Sequence, residues 1–309
     1  MNKFEQILER PGPVILDGGL ATQLEAMGLE INDDLWSASA LAKDPGAIVS
    51  AHRAYLDAGA DCIISASYQA SRDGFMSHGM SEAEADQLIV DSVALAKTAR
   101  DEFVRSNPDA RNDVIVAASV GPFGAAQHDG SEYTGKYDVS DQALGEFHAS
   151  RLQLLDASGA DVLAVETIPN FREAHILCDL LDDVSTPAWV SFASRNEKEM
   201  SDGSRISSAA GLFADHSRVH AVGINCTPPQ FILPLIDEVA SAAPDKAIVV
   251  YPNSGEIYDS AHNSWSGTAC DLGKDFNVSD WAAAGAKLIG GCCRTSPANI
   301  SAIRECLVA

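Results

Sequence analysis

The sequence predicts a (β/α)8 barrel of the TIM type, built as one domain over residues 1–309. Three observations predict it. Eight short apolar, β-branched runs alternate with longer amphipathic stretches, the pattern of parallel strands joined by right-handed helical crossovers. A phrase that stops a helix on glycine and turns at once into a strand recurs three times. Polar, glycine and thiol residues follow the strand ends, where barrels of this class carry their chemistry.

The runs lie at residues 13–16, 62–65, 114–119, 162–165, 188–192, 221–224, 247–251 and 287–289. Between them, 82–104 and 147–157 place apolar residues at three- and four-residue intervals, one face of a helix. The recurring phrases are Ala58-Gly59-Ala60-Asp61, Ser158-Gly159-Ala160-Asp161 and Ala284-Gly285-Ala286-Lys287. Glycine ends a helix by taking a left-handed backbone conformation. Such stops occur in any α/β protein, so pattern alone leaves a doubly wound sheet as the alternative. No Pro/Ser-rich linker divides the chain, and the polar stretches 121–139 and 252–277 read as elaborated loops after strands.

With 44 acidic against 21 basic residues, the formal charge is −23. A surface of that sign repels phosphate backbones and anionic lipids, which argues against nucleic-acid and membrane partners. The first ten residues carry two glutamates and no apolar core, unlike a secretion signal. No apolar run approaches the roughly 18 to 20 residues that span a bilayer. A cytoplasmic enzyme is the expectation. Seven cysteines, an odd number, argue against a disulfide scaffold and leave reduced thiols for structure, catalysis or metal.

The strand ends, read in order, carry Asp17-Gly18-Gly19, Ser67-Tyr68-Gln69, Glu166-Thr167, Asn225-Cys226, Asn253-Ser254 and Gly290-Gly291-Cys292-Cys293. Alternate barrel strands send side chains into one layer, so the sixth and eighth can aim Cys226, Cys292 and Cys293 at a single point. Three thiolates with one position left open form a catalytic zinc site, whereas structural zinc is closed by four protein ligands. Ordinary packing is the alternative, since buried cysteine often serves as a small apolar residue. Adjacent cysteines reach one metal only from a kinked chain, and Gly290 and Gly291 are expected to supply the unusual backbone angles. Cys178 and Cys306 fall in helical stretches and read as packing.

The segments LDGGLATQLE (16–25), SASYQAS (65–71), SVGPFGA (119–125) and VETIPN (165–170) resemble the homocysteine S-methyltransferases. So do GINC (223–226), VVYPNSGE (249–256) and IGGCCRT (289–295), and the resemblance runs from about residue 14 to 303. It is nearest to the bacterial branch that uses S-methylmethionine. The resemblance implies a homocysteine-binding barrel with Zn2+ on Cys226, Cys292 and Cys293. It also implies methyl transfer to the homocysteine thiol, giving methionine, with S-adenosylmethionine a poorer donor. A free thiol with pKa near 8.5 is only about 3% thiolate at pH 7, and zinc binding deprotonates it.

By the same resemblance Asp17 and Glu166 hold the substrate ammonium. As bare residues they also read as a turn acid before two glycines and an acid near a helix start. Asn225 is expected at the substrate site, orienting the thiolates or merely satisfying backbone. Backbone amides around 65–67 are candidates for the substrate carboxylate. Tyr68, Gln69, Trp36 and Trp265 are candidates for the donor pocket, because aromatic faces attract sulfonium cations. The eight histidines show no paired metal spacing, and no glycine-rich nucleotide loop occurs. Alternatives are a selenocysteine acceptor, a betaine donor, a zinc barrel without turnover, and a metal-free cysteine hydrolase.

Overall fold

A computed structural model of the chain describes residues 1–29, 37–108, 113–127, 129–259, 264–267, 269–270 and 277–308. Ten strands occur among them: β1 (Val14–Ile15), β2 (Cys62–Ile64), β3 (Ile115–Val120), β4 (Val162–Ile168), β5 (Ala188–Phe192), β6 (Val219–Asn225), β7 (Ala247–Tyr251), β8 (Ile257–Asp259), β9 (Ser264–Ser266) and β10 (Ala286–Ile289). Eight form one parallel sheet in the order β1-β10-β7-β6-β5-β4-β3-β2. A parallel bridge from Leu16 to Cys62 joins its two ends, and the Asp17 amide donates to the Cys62 carbonyl at 3.0 Å. The result is the expected (β/α)8 barrel, with helices outside.

Alternation along each strand splits the apolar residues between two cores. Leu16, Ile115, Ala117, Val162, Ala164, Trp189, Val249 and Leu288 fill the interior. Their neighbours Ile15, Val116, Ala118, Leu163, Val165, Val190 and Val250 face the helices. The helix Lys3–Leu8 closes the floor, because its buried Phe4 and Ile7 join the interior cluster. Phe4 meets Trp189 with ring centroids 5.8 Å apart. Asn2 and Glu5 cap that helix reciprocally, so its exposed first turn is satisfied without help from the barrel.

The recurring phrase has a physical explanation. Gly59, Gly159 and Gly285 all have positive φ, from 74° to 105°, so each ends a helix in the region where a side chain is strained. In the first two copies the following aspartate then locks the next strand to its neighbour. Asp61 Oδ2 accepts from the Ile15 amide at 2.8 Å, and Asp161 Oδ2 accepts from the Val116 amide at 2.9 Å. In the third copy Lys287 donates instead to the Arg10 and Gly12 carbonyls.

Element bounds differ from expectation where polar residues are buried. β4 continues three residues past 165, taking Glu166 and Thr167 into the strand, because the barrel interior pairs their side chains. The helix expected at 147–157 begins earlier, at Asp141, where Ser140 caps it. The stretch 252–277 is not all loop: β8 and β9 pair as an antiparallel hairpin. The helix expected at 82–104 is Glu82–Ser106, opened by a Ser81/Glu84 capping box. Among the described residues no helix is long and apolar enough to cross a membrane.

A buried arginine holds the loops above the barrel. Arg151, on the helix Asp141–Asp156, is 1% exposed and donates to the carbonyls of Gly121, Ser67 and Tyr68 at 2.9 to 3.0 Å. Those carbonyls follow β2 and β3, so one guanidinium ties two rim loops together. Arg151→Met keeps the apolar stem but orphans all three acceptors. It is expected to cost on the order of 3 kcal/mol or more in urea unfolding, because each unsatisfied buried acceptor carries a desolvation penalty. A loss below about 1 kcal/mol, the worth of one ordinary hydrogen bond, would refute this role.

Candidate active site

β6 and β10 flank β7, and their C-terminal ends bring the three predicted cysteines together. The sulfur atoms of Cys226, Cys292 and Cys293 all lie within 4.8 Å of one another. Cys226 Sγ and Cys293 Sγ are 3.7 Å apart. The Cys226 and Cys292 thiols donate toward Cys293, which holds the Cys293 thiol well below its ordinary pKa. Soft, clustered sulfur donors suit a thiophilic divalent metal.

The backbone is strained at this rim. Only Thr167, Cys226 and Arg294 among the described non-glycine residues have positive φ, at 62°, 46° and 65°. Such conformations cost of order 1–3 kcal/mol each and persist where surrounding contacts fix them. Cys226 is fixed by its amide, which donates to the Tyr251 carbonyl at 3.1 Å. Cys292 is fixed by its own amide on Pro252 at 2.8 Å, and by Thr295 Oγ1 on its carbonyl at 2.6 Å.

Gly290 and Gly291 do not carry the unusual angles expected of them, as neither has positive φ. Their role is close approach. A β-carbon on Gly290 would lie 2.6 Å from Leu16, and one on Gly291 2.3 Å from Thr295 Oγ1. The positive φ of this segment falls after the two cysteines, at Arg294.

Glu166 lines the same cavity as the three cysteines and is 6% exposed. It accepts from Ser119 Oγ and, at 3.0 Å, from the Tyr251 hydroxyl. Burial pushes its pKa up to about 8, with Cys292 adding to the rise against those hydrogen bonds. Asp17 is 2% exposed, does not line the cavity, and accepts from the Ile64 amide at 2.8 Å through Oδ2. Its Oδ1 is buried with no partner. Burial raises its pKa well above the ordinary carboxylate range. A nearby cation favours the charged form of carboxylates that burial holds toward the neutral one.

Asn225 is fully buried and does not line the cavity. Its Oδ1 accepts from the Thr167 amide at 2.7 Å and from Ser191 Oγ at 2.8 Å. Its Nδ2 donates to Thr167 Oγ1 at 2.7 Å and reaches Cys292 Sγ at 4.0 Å. It therefore pins the strained Thr167 beside Glu166 and touches one thiol. The Ser65 amide is spent on the Ala117 carbonyl at 2.9 Å, and of the 65–67 segment Ser65 and Ala66 line the cavity.

The cavity is also lined by Tyr68 and Gln69, as expected, and by Glu132 and Tyr133, which sequence reasoning missed. These last two belong to the 121–139 stretch, whose loop-like composition carries no strand or helix period to place it. Arg294 at the rim pairs with Glu256 at 3.2 Å and Glu25 at 3.8 Å. Trp36 and His262 lie outside the described residues, as does the side chain of Trp265.

Three convergent thiols on a carboxylate-lined cavity, at the strand ends of a barrel, form a group that could hold a thiophilic metal. Residues 14–307 match the family model for homocysteine S-methyltransferase. The chain is 46% identical over 306 residues to homocysteine S-methyltransferase YbgG of Bacillus subtilis (strain 168), covering 98% of this chain and 97% of that one. It is 45% identical to homocysteine S-methyltransferase 1 of Zea mays, covering 99% and 98%. The crystal structure of the homocysteine methyltransferase MmuM from Escherichia coli, in its metallated form, superposes with a TM-score of 0.88 at 40% identity, covering 98% and 99%. The chain belongs to the homocysteine S-methyltransferase family, and it is a methyltransferase acting on homocysteine.

Proposed function

We propose that this chain moves a methyl group from S-methylmethionine to homocysteine, with Zn2+ held by Cys226, Cys292 and Cys293. The observation that carries the reading is the thiol cluster sharing one cavity with the buried Glu166 carboxylate, with buried Asp17 close enough to feel the charge of both Glu166 and Cys292. That arrangement suits an amino acid that ends in a thiol. When bound, zinc would lower the pKa of the substrate thiol and hold it as a nucleophile at neutral pH.

The protein's own residues do the rest. Asp17 Oδ1 and Glu166 receive the homocysteine ammonium, and Ser119 and Tyr251 keep Glu166 aimed at it. Ala66 backbone is the candidate for the carboxylate. Asn225 acts as a positioning residue, through Thr167 and Cys292, rather than by touching substrate. Tyr68 and Tyr133 present aromatic faces to the sulfonium of the donor, whose charge they stabilise. In the transfer the homocysteine sulfur forms the new S–CH3 bond. The donor sulfur keeps the electron pair of the broken bond, and donor and acceptor both end as methionine. Holding the two sulfurs and the methyl carbon in line supplies the remaining acceleration.

The test compares kcat/KM for S-methylmethionine, S-adenosylmethionine and betaine at saturating homocysteine. S-methylmethionine is expected to lead, with S-adenosylmethionine slower because an adenosyl group must also be housed. Preference for betaine would overturn the donor reading and leave the acceptor site standing.

A further inference from the structure

We propose that Glu132 receives the α-ammonium of the sulfonium amino acid that donates the methyl group, and so selects donors that carry one. The assignment rests on the donor reading above. S-methylmethionine brings a second ammonium into the cavity, one ethylene spacer and the α-carbon away from its sulfur. Asp17 and Glu166 lie on the acceptor side, and one oxygen of Asp17 together with both oxygens of Glu166 is already engaged. Glu25, also on the cavity wall, is exposed and paired with Arg294.

Asp17 Oδ1 is unpartnered, but Asp17 does not line the cavity, whereas Glu132 does. Glu132 is 8% exposed, and its Oε2 is likewise buried with no hydrogen-bond partner. A carboxylate oxygen buried without a partner is costly, and on a cavity wall it is placed to accept from a cationic ligand. Cys293, Tyr68 and Tyr133 all feel its charge, so it shares the cavity with the thiol cluster and the aromatic pair. Burial holds its pKa up at about 7. An arriving ammonium restores full ionisation and recovers that penalty.

The loop holds the carboxylate in place. Glu132 sits in the 3-10 turn Ser131–Tyr133, opened by Gly130 at φ 78° and closed by the Gly135 amide on the Ser131 carbonyl at 2.7 Å. The neighbouring turn Phe123–Ala126 packs against it so closely that a β-carbon on Gly124 would come within 2.5 Å of the Glu132 amide. Two turns braced against each other give the side chain a fixed origin, which selectivity between similar donors requires.

The experiment uses zinc-loaded protein with two donors, S-methylmethionine and 4-dimethylsulfoniobutyrate, which is the same sulfonium acid without the ammonium. Wild type is expected to favour S-methylmethionine. Glu132→Gln should raise its KM by roughly tenfold or more, the loss of one charge-assisted hydrogen bond, and erase most of the preference. The KM for homocysteine and the metal content should stay at wild-type values. Glu132→Asp keeps the charge on a shorter arm and is expected to fall between; it serves as the reporter if the glutamine variant does not fold. An unchanged KM for S-methylmethionine, or equal losses with both donors, would overturn the assignment. Failure of the donor reading looks different: wild type itself would transfer from betaine and from neither sulfonium.

Discussion

Cys292→Ala protein is expected to keep its barrel, lose its bound zinc, and methylate homocysteine about three powers of ten more slowly or worse. Metal activation of a nucleophile is worth several kcal/mol, and each factor of ten in rate is about 1.4 kcal/mol. Removing one of three thiols leaves two protein ligands, too few for a catalytic zinc site that relies on three. Cys226→Ala and Cys293→Ala should behave alike, because the three sulfur atoms form one cluster within 4.8 Å. The barrel should survive, since none of its ladders depends on these side chains and Cys292 and Cys293 lie beyond the end of β10. Exposed Cys306 and half-buried Cys178 are the controls, and their alanine variants should retain both metal and rate. Elemental analysis, circular dichroism and initial rates on the same preparations decide the matter. Full activity in metal-free Cys292→Ala protein would refute the zinc reading.

The strands were legible because alternation and β-branching report burial directly, and the cysteines because their strand ends could be counted. Asp61 and Asp161 show how far a repeat can be read: the phrase was visible, but its hydrogen bonds to Ile15 and Val116 lie across strands distant in sequence. Gly290 and Gly291 illustrate an ambiguity. Glycine serves either backbone freedom or close approach, and only the neighbours, Leu16 and Thr295, show that approach is the reason here. The strain falls instead on Thr167, Cys226 and Arg294, residue types that carry no sequence signal for positive φ. Arg151 and Glu132 were hidden for a related reason. A charge in an amphipathic helix or a polar loop looks solvated until the fold buries it. Asn225 stands at its strand end as read, but it lies off the cavity wall and its contacts run to Thr167 and Cys292.

Replacing either buried acid on the acceptor side should separate recognition from stability. Asp17→Asn and Glu166→Gln are each expected to lower kcat/KM for homocysteine by roughly 10- to 100-fold, the worth of one charge-assisted hydrogen bond to an ammonium. Zinc should remain bound in both, as neither acid belongs to the thiol cluster. Stability should move the other way. Burial raises the Glu166 pKa from 4.5 to about 8, so between those values the folded state holds a proton that the unfolded chain has released. Stability then falls as pH rises through that window, by up to about 1.4 kcal/mol per pH unit. Glu166→Gln removes this loss. In protein stripped of metal and substrate, the variant should therefore gain on wild type between pH 5 and pH 8 in urea unfolding while remaining the slower enzyme. A carboxylate that destabilises the empty fold and speeds the reaction is kept for its ligand. Equal pH dependence in the two proteins, together with normal homocysteine kinetics, would return Glu166 to a packing role.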